Sequence, residues 1–181
     1  MFTVLLSLLL STPSYAASLA GVNMPDTIVA NSDTLQLNGM GLREKYWIDI
    51  YVAGLYLPER MSVPEDIITK SIPKQIQIEF IYSSVPKTKM IEVLEENIHN
   101  NPQFSPETVA SIRKCGTWMQ DFTTGDVVSF DYVPSTQTTT IYINGAQRGA
   151  VQSQEFMQAI FAMYVGKYPA TQELKRGLLG L

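Results

Sequence analysis

The segment from Leu35 to Glu59, LQLNGMGLREKYWIDIYVAGLYLPE, restricts the fold more than any other part of the chain. It is long and apolar, and Trp47, Ile48, Ile50, Tyr51 and Val52 favour extended backbone. Leu35–Leu42 and Tyr46–Leu57 are therefore predicted strands. Gly39, Gly41 and Gly54 interrupt them, which marks either bulges or backbone that another element approaches closely. Arg43 follows Gly39-Met40-Gly41 as the prominent cation, either a turn residue or the charged end of a pocket. Glu44-Lys45 is either a tight turn between two strands or a point on one bent strand. A turn there sets Arg43 and Tyr51 on opposite faces of the sheet. One bent strand without a bulge sets them on the same face.

Around this segment the chain has 181 residues, 45% of them hydrophobic and 17% charged, which suits one folded domain. The net charge of −4 and the absence of a basic run exclude a nucleic-acid partner and make an anionic membrane a poor electrostatic match. One cysteine, Cys115, and one histidine, His99, leave no intrachain disulfide and no natural zinc set, and no cofactor is expected. At the N-terminus Phe2–Leu10 is apolar but too short to span a bilayer as a helix. Ser14 and Ala16 then stand at the −3 and −1 positions of a cleavage site, although no basic residue precedes the apolar run. The pattern predicts a signal peptide over residues 1–16, a mature domain over 17–181 and an exported, periplasmic protein. No later run is apolar enough for a transmembrane span.

Ala17–Asp33 reads as an extended lead-in with one short strand near Asp26–Ala30. Pro64–Lys70 reads as a short helix. Gln75–Tyr82 alternates, with Ile76, Ile78, Phe80 and Tyr82 on one side. Ser84 is the expected cap of a helix on which Met90, Val93, Leu94, Asn97 and Ile98 share a face. Asn97 in that apolar stripe is either a hydrogen-bonded core residue or a pocket group. A second helix starts at Ser105-Pro106 and carries Ile112 and Cys115 inward. Val127–Val133, Thr138–Ile143 and Arg148–Val151 form a meander, with Asn144-Gly145 as a strong hairpin signal. Ser153–Val165 is a helix apolar nearly all round, buried or lining a cavity, and Thr171–Leu179 is a last short helix. Strands joined by hairpins and helices segregated from them predict an α+β fold with a large antiparallel sheet.

No phosphate loop, dinucleotide fingerprint, nucleophile elbow or His-Glu metal motif occurs. The chain offers instead an apolar interior with polar candidates Arg43, Tyr51 and Asn97, and an apolar helix ending in Tyr164. This inventory suits an amphipathic ligand with one anionic end, since a guanidinium pairs carboxylates and phenolates through charge-assisted hydrogen bonds. It equally suits a plain core with a surface arginine.

LNGMGLREKYWIDIYVAGLYLPE resembles the strand signature of chalcone isomerase-like proteins, in particular their exported bacterial branch. GDVVSFDYVP with TTTIYINGAQRGAV, and FMQAIFAMYVGKYPATQELKRGLLG, resemble that branch's meander and terminal helix pair in the same order. The resemblance implies a large antiparallel sheet with helices on one face and a cleft between them. It implies two functional types, isomerases that close a chalcone to a flavanone and relatives that bind fatty acids. Both use an arginine of the early strand, which corresponds to Arg43. The isomerase's early threonine corresponds to Tyr51, its helix tyrosine to a position near Met90, its asparagine to Asn97 and its late-helix threonine to Met163, followed by Tyr164. Methionine replaces hydroxyl groups that would position water or stabilise a reacting oxygen.

The expectation is thus a non-catalytic member that binds a small amphipathic anion such as a fatty acid. Arg43, Tyr51 and Asn97 would be its polar ligand contacts; Met90, Met163 and Tyr164 would line the tail pocket. The alternatives are an intramolecular lyase acting on a chalcone-like phenol, and a protein-interaction module whose pocket has closed and whose Arg43 points to bulk water.

Overall fold

The structure, a computed structural model, describes residues 15–181, with side chains from residue 17 onward. The expected signal peptide lies, apart from its last two residues, outside the described residues. The elements run β1 (Tyr15–Leu19), β2 (Val22–Pro25), β3 (Thr27–Ala30), β4 (Asp33–Lys45), β5 (Ile48–Leu57), α1 (Pro64–Thr69) and β6 (Lys74–Phe80). There follow α2 (Lys87–Asn100), α3 (Pro106–Trp118), β7 (Val127–Val133), β8 (Thr138–Ile143), β9 (Ala146–Gln152), α4 (Gln154–Val165) and α5 (Gln172–Leu178). β3 to β9 form one seven-stranded sheet in sequence order, and every neighbouring pair is antiparallel. The α+β expectation holds.

The sheet separates two apolar cores. On one face Tyr51, Ala53, Leu55 and Leu57 of β5, with Ile76, Ile78 and Phe80 of β6, pack beneath the helices. α4 contributes Phe156, Ile160, Phe161 and Tyr164 to the same core, and its nearly all-round apolar surface is buried. The opposite face is not bare over β4 and β5. Leu35, Leu37, Val52 and Tyr56 cluster there with Val22 and Met24 of a β1–β2 hairpin. The lead-in expected to hold one strand therefore holds three, because its alternating buried residues cover a second apolar surface.

Two bulges decide which side chains reach the helix face. At Asn38 the β4–β5 register shifts by one residue, so Leu37 faces the hairpin while Gly39, Gly41 and Arg43 face the helices. Asn38 is pinned there, since its Nδ2 donates to the Leu178 carbonyl at 2.7 Å and its Oδ1 accepts from the Met61 amide at 2.7 Å. A second shift lies between Arg43 and Glu44, opposite Ile50. The hairpin then closes at Tyr46-Trp47, with Lys45 paired to Ile48, and not at Glu44-Lys45. The resulting pairing sets Arg43 directly across from Tyr51.

The glycines of β4 serve close approach. A Cβ on Gly39 would lie 2.2 Å from the Gly177 carbonyl oxygen, and one on Gly41 would lie 2.3 Å from that of Leu174. α5 thus rests its backbone on β4. Ser105, Ser153 and Thr171 cap α3, α4 and α5 as their positions predict. Ser84 does not cap α2. Val85 first pairs with Phe122 in an isolated bridge, and the helix begins only after Pro86.

Candidate functional site

Arg43 and Tyr51 meet at a cavity of about 340 Å³ bounded by the end of the β4–β5 hairpin, α2 and α4. Tyr51 and Phe130 line it from the sheet, Met90 and Val93 from α2, and Met163 and Tyr164 from α4. Five of the six predicted site residues therefore share one cavity. Asn97 lines instead an adjoining pocket of about 320 Å³, which shares Arg43, Val93 and Met163 with the first. The Asn97 Nδ2 donates to the Ala159 carbonyl at 3.4 Å, and its Oδ1 accepts from Asn101 at 3.0 Å. It chiefly ties α2 to α4.

The arginine is held by backbone only. Its Nη1 donates to the Ala170 carbonyl at 2.6 Å and more weakly to that of Glu44 at 3.3 Å. The ion pairs among the described residues are Lys70–Asp66, Lys89–Glu92 and Arg113–Glu95, so Arg43 makes no ion pair, although Glu96 lines both pockets with it. Its remaining N–H groups are free to receive an anion at the border of the two pockets.

Two phenols stand beside it. Burial pushes the Tyr51 hydroxyl up to about 12 although the Arg43 charge pulls the other way. Burial likewise raises Tyr164 well above the ordinary phenol value, with Tyr51 and Cys115 adding to the effect. Both are neutral hydrogen-bond donors at physiological pH. The Tyr51 ring is fixed edge-on to Phe80, with centroids 5.8 Å apart, and Phe80 stacks on Phe122 at 4.4 Å. Cys115 is fully buried, its thiol raised to about 12, and it packs as an apolar side chain.

Sequence reasoning missed the rim. Lys45, Tyr82, Ser84 and Lys89 line the mouth. The alternation of β6 could have found Tyr82, which continues the face of Phe80. His99, in the last turn of α2, is exposed. Among the described residues no group of His, Cys, Asp and Glu side chains gathers as a metal site, and no helix is long and apolar enough to cross a membrane.

The fold has a solved counterpart. The crystal structure of a fatty-acid binding protein from Arabidopsis thaliana superposes with a TM-score of 0.71, covering 88% of this chain and 92% of that one at 17% identity. No curated protein sequence matches the chain. The sequence profile of the chalcone isomerase-like family, however, matches residues 16–180, the span that builds both the sheet and the cavity. The chain belongs to the chalcone isomerase-like family.

Proposed function

We propose that the protein is an exported, non-catalytic member of its family that holds a small amphipathic anion, with a fatty acid as the representative ligand. The observation that carries this reading is an arginine without a carboxylate partner, paired across two strands with Tyr51, at an apolar cavity. Arg43 takes the anionic group and Tyr51 donates a second hydrogen bond to it. Met90, Met163 and the ring of Tyr164 contact the apolar tail. The cavity volume falls within the roughly 300–1,000 Å³ of small-molecule sites. The plant neighbour named as a fatty-acid binding protein supports the same ligand class. Methionine at positions 90 and 163 supplies no hydroxyl for holding water against a reacting oxygen, which favours binding over isomerisation. Export follows from the N-terminal pattern and is checked by N-terminal sequencing of protein recovered from the periplasm of its host.

Fatty-acid titration by calorimetry tests the site. Replacing Arg43 with alanine weakens binding by about 2–4 kcal/mol, the lower part of the range for truncating one partner of a hydrogen-bonded charge pair, because Arg43 is only half-buried. Unchanged affinity in Arg43→Ala would remove the assignment. Chalcone turnover above the buffer rate by the purified protein would return it to the isomerases.

A further inference from the structure

The hairpin between β4 and β5 ends in residues that folding does not call for. Lys45 pairs with Ile48, so Tyr46-Trp47 is a two-residue loop, and both residues have left-handed φ, 53° and 62°. Such a loop favours Asn, Asp and Gly, because a Cβ crowds the backbone there. The same chain meets that preference at its β8–β9 loop, where Asn144 and Gly145 have φ of 51° and 75°. At the β4–β5 tip it sets two bulky aromatic residues in the unfavourable conformation, and neither is buried. Tyr46 is 80% exposed, Trp47 91% and the adjoining Ile48 42%. An apolar tip that opposes its own turn geometry and contributes nothing to a core points to a contact outside the molecule.

The tip adjoins the mouth of the ligand cavity. Lys45 immediately precedes it and lines the cavity, as does Tyr82, whose amide donates to the Ile50 carbonyl at 3.1 Å beside the same strand end. The area and chemistry of the patch identify what covers it. Two aromatic side chains bury roughly 150–250 Å² each, far below the ~800 Å² per partner of a stable protein interface. A bilayer interface imposes no such minimum, and Trp and Tyr are the residues whose apolar rings and polar N–H or O–H groups suit it. The charges nearby are mixed, with Arg43, Lys45 and Lys89 against Glu44, Asp49, Glu92 and Glu96, so attraction rests on the rings and needs no anionic lipid. We infer that Tyr46, Trp47 and Ile48 form a membrane-interface anchor that seats the cavity mouth on a phospholipid bilayer, so that an amphipathic ligand passes between bilayer and cavity without crossing water. The transfer part rests on the ligand reading above; the docking part does not.

The test is co-sedimentation with phosphatidylcholine vesicles, read together with tryptophan emission. Wild-type protein partitions onto vesicles and its emission shifts to the blue as Trp47 leaves water. The double variant Tyr46→Asn/Trp47→Gly suits the loop geometry, so it folds at least as stably. It loses vesicle partition by at least ~10-fold, the effect of withdrawing one buried aromatic side chain, and binds soluble fatty acid as before. Wild-type protein that stays in the supernatant overturns the inference, as does a variant that partitions equally well. A concentration-dependent dimer abolished by the same variant would assign the tip to a second copy and overturn it too. Failure of wild-type protein to bind fatty acid in solution removes the ligand reading alone, while vesicle partition still decides docking.

Discussion

A guanidinium beside an apolar cavity is costly unless its N–H groups find acceptors, and Arg43 meets that need only in part. Two backbone carbonyls engage one of its nitrogens, and among the described residues no carboxylate forms an ion pair with it. The same imbalance favours an incoming anion. Tyr51 is suited to share that anion because its proton is firmly held. With the hydroxyl raised to about 12, it remains a donor throughout the physiological range. Tyr51→Phe keeps the ring packing against Phe80 and removes only the donor. It should therefore weaken fatty-acid binding by about 1.5–3 kcal/mol, the worth of a hydrogen bond to a charged group, and leave stability nearly unchanged. The wild-type pH profile should be flat from neutrality to about pH 10, below the titration of Tyr51. Affinity should fall at acid pH as the ligand carboxylate protonates near an ordinary value of ~4–5. Fluorescence titration across that range checks both limbs. A Tyr51→Phe variant that binds as tightly as wild type would leave Arg43 without a partner in recognition.

Between elements, the contact that matters most to the site is α5 lying on β4. A Cβ at Gly177 would lie 2.2 Å from the Met40 carbonyl oxygen, and this atom is backbone that cannot swing away. Gly116 in α3 is the matched case, because a Cβ there meets only the Leu94 and Ile91 side chains at 3.5 and 3.6 Å. Alanine is better than glycine in a helix by about 1 kcal/mol. Gly116→Ala should thus stabilise the protein by up to that amount. Gly177→Ala should destabilise it, with the overpacking cost of about 1–3 kcal/mol exceeding the helix gain. Urea unfolding of the two variants measures the contrast; equal shifts would mean that α5 does not rest on β4. Since Ala170 precedes α5 and holds Arg43, Gly177→Ala should also loosen ligand binding. The close approach was legible in Gly39 and Gly41, and Asn144-Gly145 marked its hairpin correctly. The turn at Tyr46-Trp47 was not, because aromatic residues at positive φ contradict every local preference. Nor was the bulge at Asn38, which exists through hydrogen bonds to Met61 and Leu178, the latter 140 positions away. The convergence of Arg43 and Tyr51 depended on the turn at Tyr46-Trp47 together with the second bulge, opposite Ile50, which sets Arg43 across from Tyr51. Residue types and periodicity could nominate both side chains, and only the tertiary register could bring them together.

At the scale of the whole molecule, Lys74 ties α1 and α4 to the sheet from the start of β6. It begins β6, is buried, and its Nζ donates to the carbonyls of Ile67 and Lys70 at the end of α1. The same nitrogen lies 5.3 Å from the Phe161 ring centre on α4 and 5.8 Å from that of Tyr132 on β7. Burial lowers its pKa from the usual 10.5 to about 8. Between pH 8 and 10.5 the unfolded chain therefore holds a proton that the folded protein has released, and stability rises with pH through that window. The neutral amine keeps two N–H groups, enough for both carbonyls, so the structure survives the titration. Opposing groups enter higher up. Cys115, raised from 9.0 to about 12, and Tyr51, raised from 10.0 to about 12, hold protons in the folded state that the unfolded chain has lost. They erode stability above about pH 9 and 10 respectively. The stability curve should accordingly peak on the mildly alkaline side, and Lys74→Met should isolate the contribution of the lysine. The gap between wild type and variant should move in favour of wild type by on the order of 2 kcal/mol from pH 8 to 10. Urea midpoints at pH 7, 8, 9 and 10 measure it, and a gap that stays constant would show that Lys74 keeps its charge in the core.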